Sequence, residues 1–386
     1  MIKLKKILLI ITLFLFPLFL NAEELDIAKN SKSAILIEAT TGEVIYEKNS
    51  DEKLAPASMT KMMTLLLTME KIEKKEISLE DEVQVSKRAA GMGGSQIFIQ
   101  ENSKIKLEDL LKGIGIASAN DAAVAVSEYV GGTYENFVNM MNEKAKELGL
   151  QNTNFKNPHG LDEANHYSTA RDLSIIASNL VKYDDILKIT STYEEYIKIN
   201  DDNRWLVNTN SLIRNYKGID GLKTGYTEEA KYCLTATMKR NEMRLISVVM
   251  GAETKEQRSE DTINLMEYGF NLYNMKKILD KNKLLGKVYV EKSKNDYYDY
   301  YLKDDVNLFI KKEKNSEKYT YDIKLSYLKA PIKQNEPIGK LVLNYDDRIY
   351  NYDLILKENV EKVSFFDLMN KNLKNIISGN IKIMSK

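Results

Sequence analysis

Ser58 and Lys61 stand three residues apart in "LAPASMTKMMTLLLTMEKI" (54–72), immediately ahead of an apolar helical run. A serine hydroxyl is a weak nucleophile until a neighbouring base takes its proton, and a lysine can be that base once burial or a second cation lowers its pKa. Residues three apart share a helix face, so the Lys61 amine can reach the Ser58 hydroxyl, and a helix start adds positive potential near a developing anion. The spacing alone says little, because Ser50 and Lys53, Ser103 and Lys106, and Ser326 and Lys329 repeat it without a long apolar helix behind them. Two further groups sharpen it. "SAN" (118–120) falls between two helical runs, where a turn can aim the Ser118 hydroxyl and the Asn120 amide into a cleft. "KTG" (223–225) lies in a strand pattern, with Lys223 and Gly225 on one side and Gly225 open to close approach by a ligand.

The elements that must position these groups are legible around them. "SAILIEATTGEVIYEK" (33–48) reads as a hairpin, and an apolar-rich helix is predicted from Ser58 to about Lys74. "LEDLLKGIGIASANDAAVAVSEYVGG" gives two helices interrupted near Ser118, and "TYENFVNMMNEKAKELGL" another. Thr169 followed three residues later by Asp172 has capping-box spacing and starts a further helix. "GLKTGYT", "YCLTATM" and "RLISVVMGA" read as strands, and "KEQRSEDTINLMEYGFNLY" returns to helix. A strand pair, a helical middle and a later strand set imply one sheet completed by distant parts of the chain, with helices on both faces. Beyond Asn274 period-two patterns take over: Tyr321, Ile323, Leu325 and Tyr327 share a face, as do Tyr350, Tyr352, Leu354 and Leu356.

The ordered set "SMTK", "SAN", "KTG" resembles that of penicillin-binding proteins and class A β-lactamases. Within that group the chain resembles the serine-type D-alanyl-D-alanine carboxypeptidases, the low-molecular-weight penicillin-binding proteins, through "NPHGLD" (157–162), "HYSTARD" (166–172), "GIDGLKTGYT" (218–227) and "MRLISVVMGA" (243–252), and more weakly through "LKAPIKQNEPIGKLVL" (328–343). The resemblance implies a Ser58 nucleophile with Lys61 as base. It implies that Ser118 relays a proton to the leaving amine and that Asn120 holds the substrate amide and orients Lys61. Lys223 then keeps Lys61 neutral and, with Thr224, binds the terminal carboxylate. Backbone N–H groups of Ser58 and Tyr226 form the oxyanion hole, and Arg258 lies near the carboxylate end. The implied reaction removes the terminal D-alanine of peptidoglycan stem pentapeptides through a Ser58 acyl-enzyme that β-lactams also form. A D,D-endopeptidase or transpeptidase shares that acyl step, and a non-catalytic wall-associated scaffold is a reading of another class.

Other chemistries fit poorly. A class A β-lactamase uses a glutamate to activate the deacylating water, and no Glu-x-x-Leu-Asn run occurs; "ELGLQ" (147–151) only ends an amphipathic helix. No Gly-x-Ser-x-Gly elbow is present. His159 and His166, the two histidines, lie seven apart, which suits loop-holding hydrogen bonds better than zinc ligation. No metal or organic cofactor is implied. Equal counts of 56 basic and 56 acidic residues offer no excess for nucleic-acid binding. Cys233, the sole cysteine, sits in a strand-like apolar run as a buried thiol.

The two ends carry addresses. "MIKLKK" followed by the apolar "ILLIITLFLFPLFL" (7–20) and a cleavage point at Ala22 has the order of a secretory signal. Its removal leaves 53 basic against 56 acidic residues. The tail, as a helix, gathers Phe365, Phe366, Met369, Leu373, Ile376, Ile377 and Met384 opposite Lys371, Lys374, Lys382 and Lys386, a pattern suited to an anionic membrane surface. The expected protein is therefore exported, periplasmic or on the outer face of the cytoplasmic membrane, and peripherally anchored. Its expected class is α+β: signal peptide 1–22, a β-lactamase/transpeptidase-like domain 23–275 with an antiparallel sheet flanked by helices and a helical subdomain, a small all-β domain 276–362, and an amphipathic anchor helix 363–386.

Overall fold

The computed structural model describes residues 25–199, 202–313, 318–346, 348–364, 366, 367 and 369. The expected signal peptide, and the expected tail helix apart from a few of its first residues, lie outside them. The chain divides into two compact units, Met1–Lys239 with Arg244–Tyr268, and Arg240–Met243 with Gly269–Lys386.

In the first unit β1 (Ser33–Glu38) and β2 (Val44–Lys48) form the expected hairpin, with a register shift between Leu36 and Ile37. A single 3-10 turn, Ala57–Thr60, leads into α1 (Lys61–Glu73). Then come β3 (Glu82–Gln84), α2 (Lys87–Ala90), β4 (Lys104–Lys106), α3 (Leu107–Gly115), α4 (Asn120–Gly131) and α5 (Tyr134–Glu147). The next elements are α6 (Ala170–Leu180), α7 (Asp184–Thr190), β5 (Glu194–Ile199), β6 (Asp202–Val207) and α8 (Leu212–Asn215). β7 (Ile219–Thr227), β8 (Lys231–Arg240) and β9 (Met243–Ala252) complete the sheet, and α9 (Lys255–Leu272) follows.

The five-stranded sheet has the order β2-β1-β9-β8-β7. The early hairpin thus joins the late strands through β1 and β9, where Leu36 faces Ser247 in antiparallel register. Every residue of β1 is buried, and so are nine of the ten in β9, so these strands are covered on both faces as the sequence implies. The helical core is equally closed. Lys61 to Met69 are buried without interruption in α1, and the small side chains Ala122, Ala123, Val124, Ala125 and Val126 of α4 let it pack deep among its neighbours. The Thr169 hydroxyl accepts from the Asp172 N–H, so that cap forms; the Asp172 carboxylate turns instead to Asn152 N and Thr153 Oγ1.

The second unit is all-β: β10 (Tyr273–Leu279) pairs with β13 (Val306–Lys311). β11 (Gly286–Tyr289), β12 (Tyr297–Leu302), β14 (Tyr319–Leu325), β15 (Pro337–Tyr345) and β16 (Arg348–Leu356) form a second sheet, order β11-β12-β16-β15-β14. Leu308, Leu341, Leu343, Leu354 and Leu356 make its core. The expected shared face on β14 is only partly covered. Tyr321 and Ile323 do share the core-side face, opposite Leu343 and Leu341, but β14 is an edge strand, so Tyr321 and Leu325 stay exposed and Tyr327 lies beyond the strand in solvent. Periodicity fixes which way side chains point, not whether another layer covers them.

Candidate active site

The backbone around Ser58 is shaped before any side chain acts. In a 3-10 turn, residues i and i+3 eclipse, so Ser58 stands over Lys61 more directly than α-helical spacing allows. Two glycines let other segments close on this turn. A Cβ on Gly225 would come within 3.0 Å of the Pro56 carbonyl oxygen and 3.1 Å of Ala57 Cβ. The expected role of Gly225, room for a ligand, is thus filled first by the protein's own turn, which β7 approaches at van der Waals distance. Gly160, at φ +88°, is more constrained still, since its Cβ would fall 1.9 Å from the Ala57 carbonyl oxygen.

Lys61 is completely buried, and three oxygens surround its amine: Ser58 Oγ at 2.9 Å, Asn120 Oδ1 at 2.7 Å and the His159 carbonyl at 2.6 Å. The Asn120 amide donates through Nδ2 to the Gly93 carbonyl at 2.8 Å, which fixes its oxygen toward Lys61. Asn120 Oδ1 and His159 O can only accept, so they take two N–H bonds of the amine. The remaining tetrahedral position faces Ser58 Oγ. In the neutral amine that position is the lone pair, directed at the Ser58 hydroxyl.

Burial first, and the charge of Lys223 second, push the Lys61 pKa well below its ordinary value; Asp121 pulls weakly the other way. Lys223, in β7 opposite Thr235, is itself buried, and desolvation with the nearby Arg258 charge lowers it to about 7. Its amine donates to the Thr224 carbonyl at 3.2 Å, and the Thr224 hydroxyl donates to Thr209 Oγ1 at 2.7 Å. Arg258, buried in α9, has its own pKa lowered by desolvation, and its Nε finds no acceptor among the described residues. Two cations short of acceptors beside one another are the electrostatic requirement of an anion pocket.

Ser118 adopts φ +64° at the junction of α3 and α4, a left-handed conformation that turns its side chain inward, where it is 4% exposed. Among the described residues no protein group hydrogen-bonds its hydroxyl. The Tyr226 ring lies largely outside, its hydroxyl donating to Glu228, so what Tyr226 offers the site is backbone. Ser58, Lys61, Asn120 and the His159 carbonyl thus meet directly, Lys223 acts on Lys61 through charge, and Arg258 acts on Lys223 in the same way.

Several site-forming groups are not evident in the motifs. The Asp121 carboxylate holds Ile97 N and Ile99 N at 3.1–3.2 Å, tying the loop before β4 to the start of α4. The carbonyl of His159 and the hydroxyl of Thr209 contribute through atoms no residue-type pattern marks. The histidines act as loop clasps. His166 Nδ1 accepts from Lys156 N at 3.0 Å, which places the ring proton on Nε2 to meet Thr60 Oγ1 at 2.8 Å. His159 Nδ1 accepts from Leu161 N. Burial lowers these rings to about 4 and about 3, the Lys61 charge adding to the latter.

A serine paired to a buried lysine, on a turn between a helical core and an antiparallel sheet, defines a serine acyl-transferring enzyme of the penicillin-binding fold. Residues 21–254 match the D-alanyl-D-alanine carboxypeptidase family, and residues 273–362 match the C-terminal domain of penicillin-binding protein 5. The chain is 44% identical over 351 residues to the D-alanyl-D-alanine carboxypeptidase DacF of Bacillus subtilis, covering 90% of each. Penicillin-binding protein 5 from Haemophilus influenzae superposes with a TM-score of 0.68 at 31% identity, covering 86% of this chain and 98% of that one. Penicillin-binding protein D2 from Listeria monocytogenes, solved with ampicillin bound, aligns at 33% identity and TM-score 0.57 over 62% of this chain and 98% of its own. The chain belongs to the D-alanyl-D-alanine carboxypeptidase family, and it is a serine-type peptidase.

Proposed function

We propose that this D-alanyl-D-alanine carboxypeptidase trims peptidoglycan stem pentapeptides with Ser58 as nucleophile and Lys61 as general base. As Ser58 Oγ bonds to the carbonyl carbon of the penultimate D-alanine, its proton passes to the Lys61 nitrogen. Backbone N–H groups of Ser58 and Tyr226 hold the developing oxyanion. When the C–N bond breaks, that proton leaves on the amine of the terminal D-alanine by way of Ser118. A water then attacks the ester, gives its proton to Lys61, and restores the Ser58 hydroxyl. Asn120 holds the substrate amide, and Lys223, Thr224 and Arg258 receive the terminal carboxylate at the end of a strand whose Gly225 keeps it against the nucleophile's turn.

The observation that carries this reading is the Lys61 amine, sealed from water with two N–H bonds committed and its third position on Ser58. A β-lactam ring presents the same acyl chemistry and acylates the same serine. The experiment is release of D-alanine from a soluble pentapeptide. Wild type releases it, Lys61→Met is slower by at least about 100-fold, and a folded wild type that releases none removes the assignment.

The reading includes export through a leader in residues 1–22, a catalytic domain 23–275, an all-β domain 276–362, and peripheral anchoring by an amphipathic helix 363–386. The leader and the anchor rest on the sequence patterns alone; among the described residues no helix is long and apolar enough to cross a membrane.

A further inference from the structure

The β5–β6 hairpin turns one face to the helical core. Ile197, Ile199 and Leu206 are buried there, and Glu195 on the same face pairs with Lys112 of α3 at 2.8 Å. The opposite face presents Glu194, Tyr196 and Lys198 alongside Val207, Trp205 and Asn203. Tyr196 and Trp205 are direct cross-strand partners there, 67% and 57% exposed. Trp205 is the chain's only tryptophan.

Another ring is held outward in the loop before β4. Asp121 grips the N–H groups of both Ile97 and Ile99, so Phe98 between them is forced into solvent at φ +60°, 61% exposed. A bulky residue in that conformation is strained, and such strain persists where surrounding structure imposes it. The Arg204 guanidinium, which leaves β6 on the core-side face with Ile197, lies 5.6 Å from the Phe98 ring centre. Both segments lead into the site: Asp121 follows Asn120 on α4, and four residues after Trp205 the chain reaches Thr209, hydrogen-bonded to Thr224.

We propose that Tyr196 and Trp205 form a platform for the glycan strand that carries the stem peptide. This deepens the functional reading above and rests on it. Flat rings with polar edges complement pyranose rings, which offer an apolar C–H face and a polar rim. Glu194 and Lys198 offset each other on the exposed face, leaving no net charge to select an anionic lipid or polyanion, while Asn203 and these two supply hydrogen bonds to uncharged hydroxyl and acetamido groups. The catalytic pocket takes the end of the stem peptide and the hairpin takes the uncharged polymer behind it, raising the local concentration of stem peptides.

The full chain titrated with the β-1,4-linked tetramer of N-acetylglucosamine should show a saturable change in tryptophan emission, which reports Trp205 alone. The Tyr196→Ala/Trp205→Ala double variant should co-sediment about tenfold more weakly with wall glycan stripped of stem peptides, and Trp205→Phe should keep most of the binding. That double variant should release D-alanine normally from a soluble pentapeptide and more slowly from intact insoluble peptidoglycan. The proposal is overturned by an absent emission change with the sugar, by a change that a soluble stem peptide or phosphatidylglycerol vesicles produce in its place, or by equal co-sedimentation of variant and wild type. Failure of the enzymatic reading appears separately, as no D-alanine release from the soluble pentapeptide by wild type.

Discussion

Lys61 and Lys223 are two buried amines with no ion-pair partner among the described residues: burial lowers both, the charge on Lys223 lowers Lys61 further, and the charge on Arg258 lowers Lys223. A protein selected for stability alone would not keep such a pair. In the proposed mechanism this arrangement favours the neutral form of Lys61 beside Ser58 and sets the Lys223 cation to receive the carboxylate.

Stability and activity should therefore separate at Lys223. Its folded pKa of about 7 lies below the unfolded value, so at neutral pH the unfolded state binds a proton the folded state resists. The deficit is on the order of a few kcal/mol. Lys223→Met should raise Tm by roughly 5 °C or more while D-alanine release falls by at least about 100-fold. A lowered Tm would contradict the assignment of this burial penalty.

The pH profile of kcat/KM should be bell-shaped. Activity rises with pH as Lys61, depressed by burial and Lys223, loses its proton, and falls above about 7 as Lys223 loses the charge that attracts the carboxylate. In Lys223→Arg the cation persists, and the alkaline limb should move up by several pH units. Persistence of that limb near pH 7 in the variant would assign it to another group.

Gly160 tests the backbone that holds Lys61. In Gly160→Ala the new Cβ would meet the Ala57 carbonyl at 1.9 Å on a left-handed backbone, so either the 157–162 loop or the Ser58 turn must shift, and the His159 carbonyl shifts with the loop. Destabilisation of about 3 kcal/mol is expected, with slower acylation by penicillin in whatever fraction folds. Wild-type values of both would show that the loop yields without consequence.

How much of this is legible in the sequence differs by feature. The strand and helix alternation shows plainly, since Ser33–Glu38 and Met243–Ala252 are apolar runs and α5 and α6 begin at capping threonines. Ser58, Lys61, Ser118, Asn120 and Lys223 are marked because their side-chain chemistry is rare in combination. The His159 carbonyl is invisible in advance, because any residue supplies the same atom. The tight contacts of Gly160 and Gly225 with Ala57 depend on segments more than 60 residues apart, and the uncovered edge of β14 depends on which strand ends a sheet.

Acid should loosen the 157–166 loop region. His159 and His166 have folded pKa values of about 3 and about 4 against an unfolded value near 6.5, so their neutral forms support folding above about pH 6.5, and that support is lost as pH falls toward 4 and then 3. Between pH 7 and 5 each ring should account for about 2 kcal/mol of lost stability. Urea unfolding of His166→Gln should show a shallower decline over that interval than wild type; an unchanged slope would place the acid sensitivity elsewhere.

The central claim is that Ser58 is the nucleophile that Lys61 activates, and peptide mass mapping after penicillin treatment tests it most directly. The account predicts a single penicilloyl adduct on the peptide containing Ser58, formed by wild type and lost in Ser58→Ala. An adduct on Ser118 or any other residue, or a folded protein that takes up no label, would contradict it.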